Sequence, residues 1–103
     1  MTSFTLDDGE QINAEAPDTF LIPLRSDREA LVAGDIVKLI FRIESGDEVN
    51  VERMWVIVKG RTSQGYIGVL DNDPYCTKEI ASGLEVEFHP EHIIQIHSDA
   101  KTP

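Results

Sequence analysis

One cysteine, Cys76, stands in 103 residues. An intramolecular disulfide is therefore impossible, and a reducing compartment is the expected setting. Basic residues are also scarce: nine Lys and Arg stand against nineteen Asp and Glu, a formal net charge of -10. That field repels phosphate backbones and anionic membrane surfaces, so nucleic-acid and membrane binding lose their electrostatic driving force. The same charge predicts a monomer, since like-charged copies repel. No long apolar run is present. The longest apolar-rich stretch, Ile36 to Ile43, is interrupted by Lys38 and Arg42 and is too short to cross a bilayer. The N-terminus, MTSFTLDDGEQ, has neither a basic nor an apolar segment of the secretory kind, and cytoplasm is the expected location. No Gly-rich phosphate loop, G-x-S-x-G elbow or Ser-His-Asp arrangement occurs, and an enzyme is not expected.

What the chain does contain is a set of short alternating segments. In residues 36–43, Val37, Leu39, Phe41 and Ile43 share one face of a strand, while Ile36, Lys38, Ile40 and Arg42 share the other. Residues 53–59 alternate likewise, with Met54, Val56 and Val58 on one side and Arg53, Trp55, Ile57 and Lys59 on the other. Residues 44–51, which hold Ser45-Gly46-Asp47, read as the hairpin loop between them. Tyr66 to Leu70 makes a third strand, and Gly68 within it predicts a bend or bulge where a small sheet curls. Asp71-Asn72-Asp73-Pro74 reads as a turn whose side chains bond local backbone. After an irregular stretch, Leu84 to Phe88 alternates with Glu85 and Glu87 outward. Pro90 to His92 predicts one helical turn before a last strand through Ile93, Ile94 and Ile96.

Near the start, Ser26-Asp27-Arg28-Glu29 matches the S-x-x-E capping box, predicting a short helix that runs through Val32 and is stopped by Gly34. Residues 1–16 are polar and acidic and read as a flexible leader, 17–97 as a single β-rich domain, and 98–103 as a polar tail. Several short strands with close turns predict a mainly β fold: a small curled antiparallel sheet or SH3-like barrel of five to six strands, with one short N-terminal helix.

VKLIF, ERMWV, GYIGVLDNDP, the glycine-led LEVEF and HII together resemble a family of bacterial domains known as domain of unknown function twenty-three fourteen. The similarity runs from about Pro17 to Ile96, with Glu52 to Val56 and Gly68 to Pro74 its most specific parts. Where family members often carry Gly-Asp before the penultimate strand, this chain has Gly83-Leu84-Glu85; where they often end in Asp-Trp, it has Ile96-His97. The resemblance implies the small β fold and an intracellular bacterial setting, and no activity or cofactor.

Two constellations remain. His89, Glu91, His92 and His97 lie within nine residues, and Cys76 is a further soft ligand, so a metal or small-molecule site is one reading. Turn and surface histidines are the simpler one, because the spacing matches no usual zinc motif. The second lies in residues 35–70, which hold Lys38, Arg42, Arg53, Lys59 and Arg61, five of the nine bases, and the only tryptophan, Trp55. Tryptophan with arginine is the composition of a protein-interaction hot spot, so Trp55, Arg53, Lys38, Arg42 and Lys59 are the candidate binding residues. The competing expectation is that these bases pair with Glu85 and Glu87, and that Trp55 is covered by the N-terminal segment or turned into the core. The function expected is a noncatalytic module for a protein partner, such as an inhibitor steered by charge to a basic target.

Overall fold

The computed structural model describes residues 2–97. Its elements follow in the order β1 (Thr2–Leu6), α1 (Gly9–Glu15), α2 (Arg25–Arg28), β2 (Ile36–Ser45), β3 (Glu48–Arg61), β4 (Tyr66–Leu70), β5 (Glu85–Phe88), a 3-10 turn (Pro90–His92) and β6 (Ile93–Ile96). The strands form one antiparallel sheet in the order β1-β2-β3-β4-β5, with β6 returning to β2. β2 pairs with β3 along its whole length. On its other edge, Val37 to Leu39 meet β6, and Phe41 to Ser45 meet β1. At Ile40, between the two, the carbonyl accepts a hydrogen bond from the Asp7 amide at 3.0 Å. The sheet thus curls into a half-barrel with two short helices, the mainly β, SH3-like fold that the alternation predicts.

The inner face is the one read from the sequence. Val37, Leu39, Phe41 and Ile43 of β2 and Met54, Val56 and Val58 of β3 are buried, facing Tyr66, Leu70, Val86, Phe88 and Ile93. Burying each such side chain contributes about 1.5–3 kcal/mol, which makes this face the main source of stability. Tyr66 also has a polar role: its hydroxyl donates to the Arg28 carbonyl at 2.8 Å and accepts from the Leu31 amide at 3.2 Å. The α2 end of the chain is thereby tied to the core.

Several expectations are corrected. The hairpin turn is Gly46-Asp47 alone, not residues 44–51, and β3 begins at Glu48. Gly46 has a φ of +62° and, among the described residues, no non-glycine residue has a positive φ, the combination a type II′ turn needs. The polar side chains of Glu48, Asn50 and Glu52 mask a strand that begins five residues before the predicted start at Arg53. Residues 2–16, read as a leader, hold β1 and α1: the Phe4 ring packs 5.2 Å from that of Phe41, and the Asp8 carboxylate caps α1 by accepting from the Gln11 amide. Main-chain pairing makes this segment part of the sheet, and composition does not register such pairing.

The capping box does not form. Helix α2 starts two residues early, with Leu24 at its N-cap, and covers Arg25–Arg28 only; Ser26 lies inside the helix and makes no cap bond, and Glu29 pairs with the Arg25 guanidinium at 2.8 Å instead. Gly34, with a φ of +98°, lies in the turn into β2 and donates to the Val58 carbonyl rather than ending a helix. The predicted polar tail, 98–103, lies outside the described residues.

Candidate functional site

The outer face of β2 and β3 carries the candidate residues. Cross-strand pairing sets Lys38 opposite Trp55, Ile40 opposite Arg53 and Arg42 opposite Val51. The Lys38 ammonium sits 4.6 Å from the centre of the Trp55 ring, and the His97 ring meets the indole edge-on at 5.3 Å. A lysine over an indole at a partly exposed site contributes about 0.5–1 kcal/mol and holds the ring in one orientation. Trp55 is half-buried between the Lys38 ammonium and the His97 ring.

The other cations are engaged locally. Arg42 grips Asp7 with both arms of its guanidinium, at 3.0 and 2.9 Å. Arg53 lies 5.5 Å over the Phe20 ring, so the N-terminal segment crosses Arg53 rather than Trp55. Lys59 is exposed at the register shift between β3 and β4, away from the Lys38–Trp55 pair. Glu85 and Glu87 lie on β5, two strands beyond β3, and form none of these pairs. Of the five candidates, the fold brings Lys38, Trp55 and Arg53 together, places Arg42 beside them already paired, and leaves Lys59 apart.

The sequence reading missed that this face extends further. Val49 and Val51 continue the outward row of Arg53, Trp55 and Ile57, and are 55% and 50% exposed. The signal was present as strict alternation from Val49 to Ile57, hidden by the loop assigned there. Tyr75, fully exposed, stands close by. The Glu52 carboxylate accepts from the amides of Tyr75 (3.0 Å) and Cys76 (3.1 Å), fixing that loop against β3. Burial acts to raise the Glu52 pKa, but these amides outweigh it and hold it below the usual range.

The two most specific stretches of the family resemblance meet here. The Trp55 amide donates to the Asn72 side-chain oxygen, and the Asp71 amide donates to the Trp55 carbonyl at 2.9 Å. Asp73 accepts from the Ser82 amide at 2.8 Å, closing the irregular 74–82 stretch. Asn72 and Asp73 therefore bond distant backbone, not the local backbone expected of a turn.

The histidines do not converge. His89 and His92 stack with ring centres 5.4 Å apart in the 3-10 turn, while His97 belongs to the Trp55 cluster. No group of three or more His, Cys, Asp and Glu side chains able to hold a metal ion exists among the described residues. The Cys76 thiol is pushed up by burial and then by the Glu52 carboxylate, the reverse of what an activated nucleophile needs. A cavity of about 500 Å³ lies between residues 21–23 and β6, lined by Leu21, Ile22, Pro23, Ala30 and Ile96; no histidine lines it. No helix among the described residues is long and apolar enough to cross a membrane. Comparisons of the chain with family models, with curated proteins and with solved structures find no match.

Proposed function

We propose that the chain is a noncatalytic protein-binding module that engages its partner through the outer face of β2 and β3, centred on Trp55 and Lys38. One observation carries this reading. A half-buried tryptophan, held by a lysine, stands in a row with exposed Val49 and Val51, on the one part of a -10 chain where bases equal acids. Aromatic and apolar groups with few acids are what an interface centre requires. The acids elsewhere steer a basic partner toward the chain. The same charge disfavours nucleic acid as the partner. Membership of the twenty-three fourteen family and an intracellular setting belong to the same proposal; they rest on the quoted motifs and on the single cysteine.

The test is capture from an extract of the native cells by the immobilised chain. The Trp55→Ala variant is expected to retain at least about 30-fold less partner than wild type, as for an interface hot spot. Lys59→Ala, away from the cluster, is expected to leave capture unchanged. Tryptophan fluorescence checks the premise directly. Emission accessible to acrylamide, shifting to the blue with partner, is expected; a blue, acrylamide-insensitive emission from the chain alone rejects the reading.

A further inference from the structure

β3 is fourteen residues long, but β4 accompanies it only from Val56 to Arg61. Trp55 is satisfied by Asp71 and Asn72. From Glu48 to Met54, the edge of β3 facing away from β2 has no strand beside it among the described residues. In an antiparallel pair, alternate residues point their N–H and C=O groups toward and away from the neighbour. Ser45 and Glu48 close the two-residue turn as a hydrogen-bonded pair, so Glu48, Asn50, Glu52 and Met54 direct theirs to β2. Val49, Val51 and Arg53 direct theirs outward, in phase with Trp55, whose outward bonds are observed. The side chains of this stretch include the exposed Val49 and Val51. A long edge with apolar side chains is a template for another strand.

We infer that two copies of this chain pair along this edge, β3 against β3, antiparallel, with the two-fold axis at Val51. The edge complements itself in one register, which makes a second copy a fitting occupant. With Val51 opposite Val51, Val49 faces Arg53 of the other copy, Glu48 faces Met54 and Glu52 faces Asn50, so no like charges are directly opposed. The outward groups of Val49, Val51 and Arg53 then meet one another across the axis. A one-residue slip sets outward groups against residues already bonded to β2. Moving the axis to Arg53 opposes two guanidinium groups, and moving it to Val49 runs the strand into the Gly46-Asp47 turn. The net charge of each copy opposes the pairing, so the dimer tightens as salt rises and the Debye length falls to about 8–10 Å. A charge-steered complex with a basic partner weakens under the same change. The pairing shares Val49, Val51 and Arg53 with the face proposed above but not the Trp55 indole, so Trp55→Ala, which removes the one and spares the other, tells the two apart.

Sedimentation of the full chain over a wide concentration range, at low and moderate salt, tests it. Wild type and Trp55→Ala are expected to approach the dimer mass at high concentration, and more readily at moderate salt. Val51→Pro removes only an outward amide and no bond to β2; it is expected to weaken association at least tenfold while melting as a folded protein. Val51→Lys, which sets two like charges on the axis, is expected to do the same. In a Cys76→Ser background, Val51→Cys is expected to cross-link on mild oxidation and Val49→Cys is not, since only the axial pair lies within disulfide reach. A wild type that stays monomeric throughout overturns the inference, whether or not the edge takes up a strand of another protein. Undiminished association of folded Val51→Pro and Val51→Lys overturns it too, as does equal cross-linking at both cysteine positions.

Discussion

Gly68 shows how a single residue shapes the curl of the sheet. A Cβ on this glycine would lie 2.5 Å from the Ile57 carbonyl oxygen and 2.8 Å from Cγ1 of Val56, on the neighbouring strand. Both are held by the core, so neither can yield cheaply. The adjacent register shift falls between Val58 and Gly60 on β3, not at Gly68 itself; the glycine admits the close approach that the shift imposes. Gly68→Ala is expected to lower stability by about 1–3 kcal/mol, the usual penalty for overpacking a tight site, as a reduced urea midpoint with an unchanged slope. Gly34→Ala is a different case, with open space around it and strain from its positive φ alone. At this scale a glycine inside an alternating run pointed to a bend, but which atoms crowd it was invisible until the strands were paired. Glu52, Asn72 and Asp73 teach the same lesson. Each is a polar side chain whose backbone partner lies nine to twenty-four residues away, a distance no local rule reaches.

Between β5 and β6, the 3-10 turn joins the two ends of the curled sheet and is the element most exposed to pH. Its His92 ring accepts the His89 amide proton on Nδ1 at 2.9 Å, a bond that only the unprotonated nitrogen can accept. Facing the ring are His89, Glu91 and Asp8, two carboxylates favouring protonation and one imidazole opposing it. Burial dominates and lowers the His92 pKa from its ordinary 6.5. A base whose folded pKa is depressed contributes stability that is fully present above its unfolded pKa and is lost as pH falls through the folded value. Urea midpoints are therefore expected to fall below about pH 6.5, and His92→Gln to flatten that decline. Glu10, Glu52 and Glu91 also have lowered pKa values, Glu10 chiefly through Arg28, but they act in a separate window below 4.5. Around this turn, α1 seats Gly9 against Ile94, and the buried Arg28 guanidinium donates to Glu10 and to the carbonyls of Pro23 and Pro90. The turn itself was legible from His-Pro-Glu-His, because proline fits the start of a helical turn. The length of α2 was not, because an ion pair between Arg25, Glu10 and Glu29 outcompeted the capping box.

For the molecule as a whole, the net charge sets the response to salt. Nineteen acids against nine bases repel one another in the compact state, and screening relieves that repulsion. The exposed pairs Arg25–Glu29 and Arg42–Asp7 weaken in salt, but exposed pairs are individually weak and do not set the sign. Melting temperature is thus expected to rise by roughly 4 °C between low and physiological ionic strength, the shift that about 1 kcal/mol produces in a domain of this size. A fall over that range would show that local ion pairs outweigh the net field. Residue identities alone determined the fold class, the inner faces of β2 and β3 and the acidic field, because alternation and charge count are properties of the chain itself. The outer surface had to wait for the tertiary structure. That Trp55 lies beneath Lys38 and beside His97, that Arg42 and Arg53 are engaged by Asp7 and Phe20, that His97 stays apart from the stacked His89 and His92, and that half of β3 has no strand on its edge away from β2 among the described residues all depend on segments distant in sequence. Such contacts arise only when the sheet curls and brings β6 and β1 back to β2.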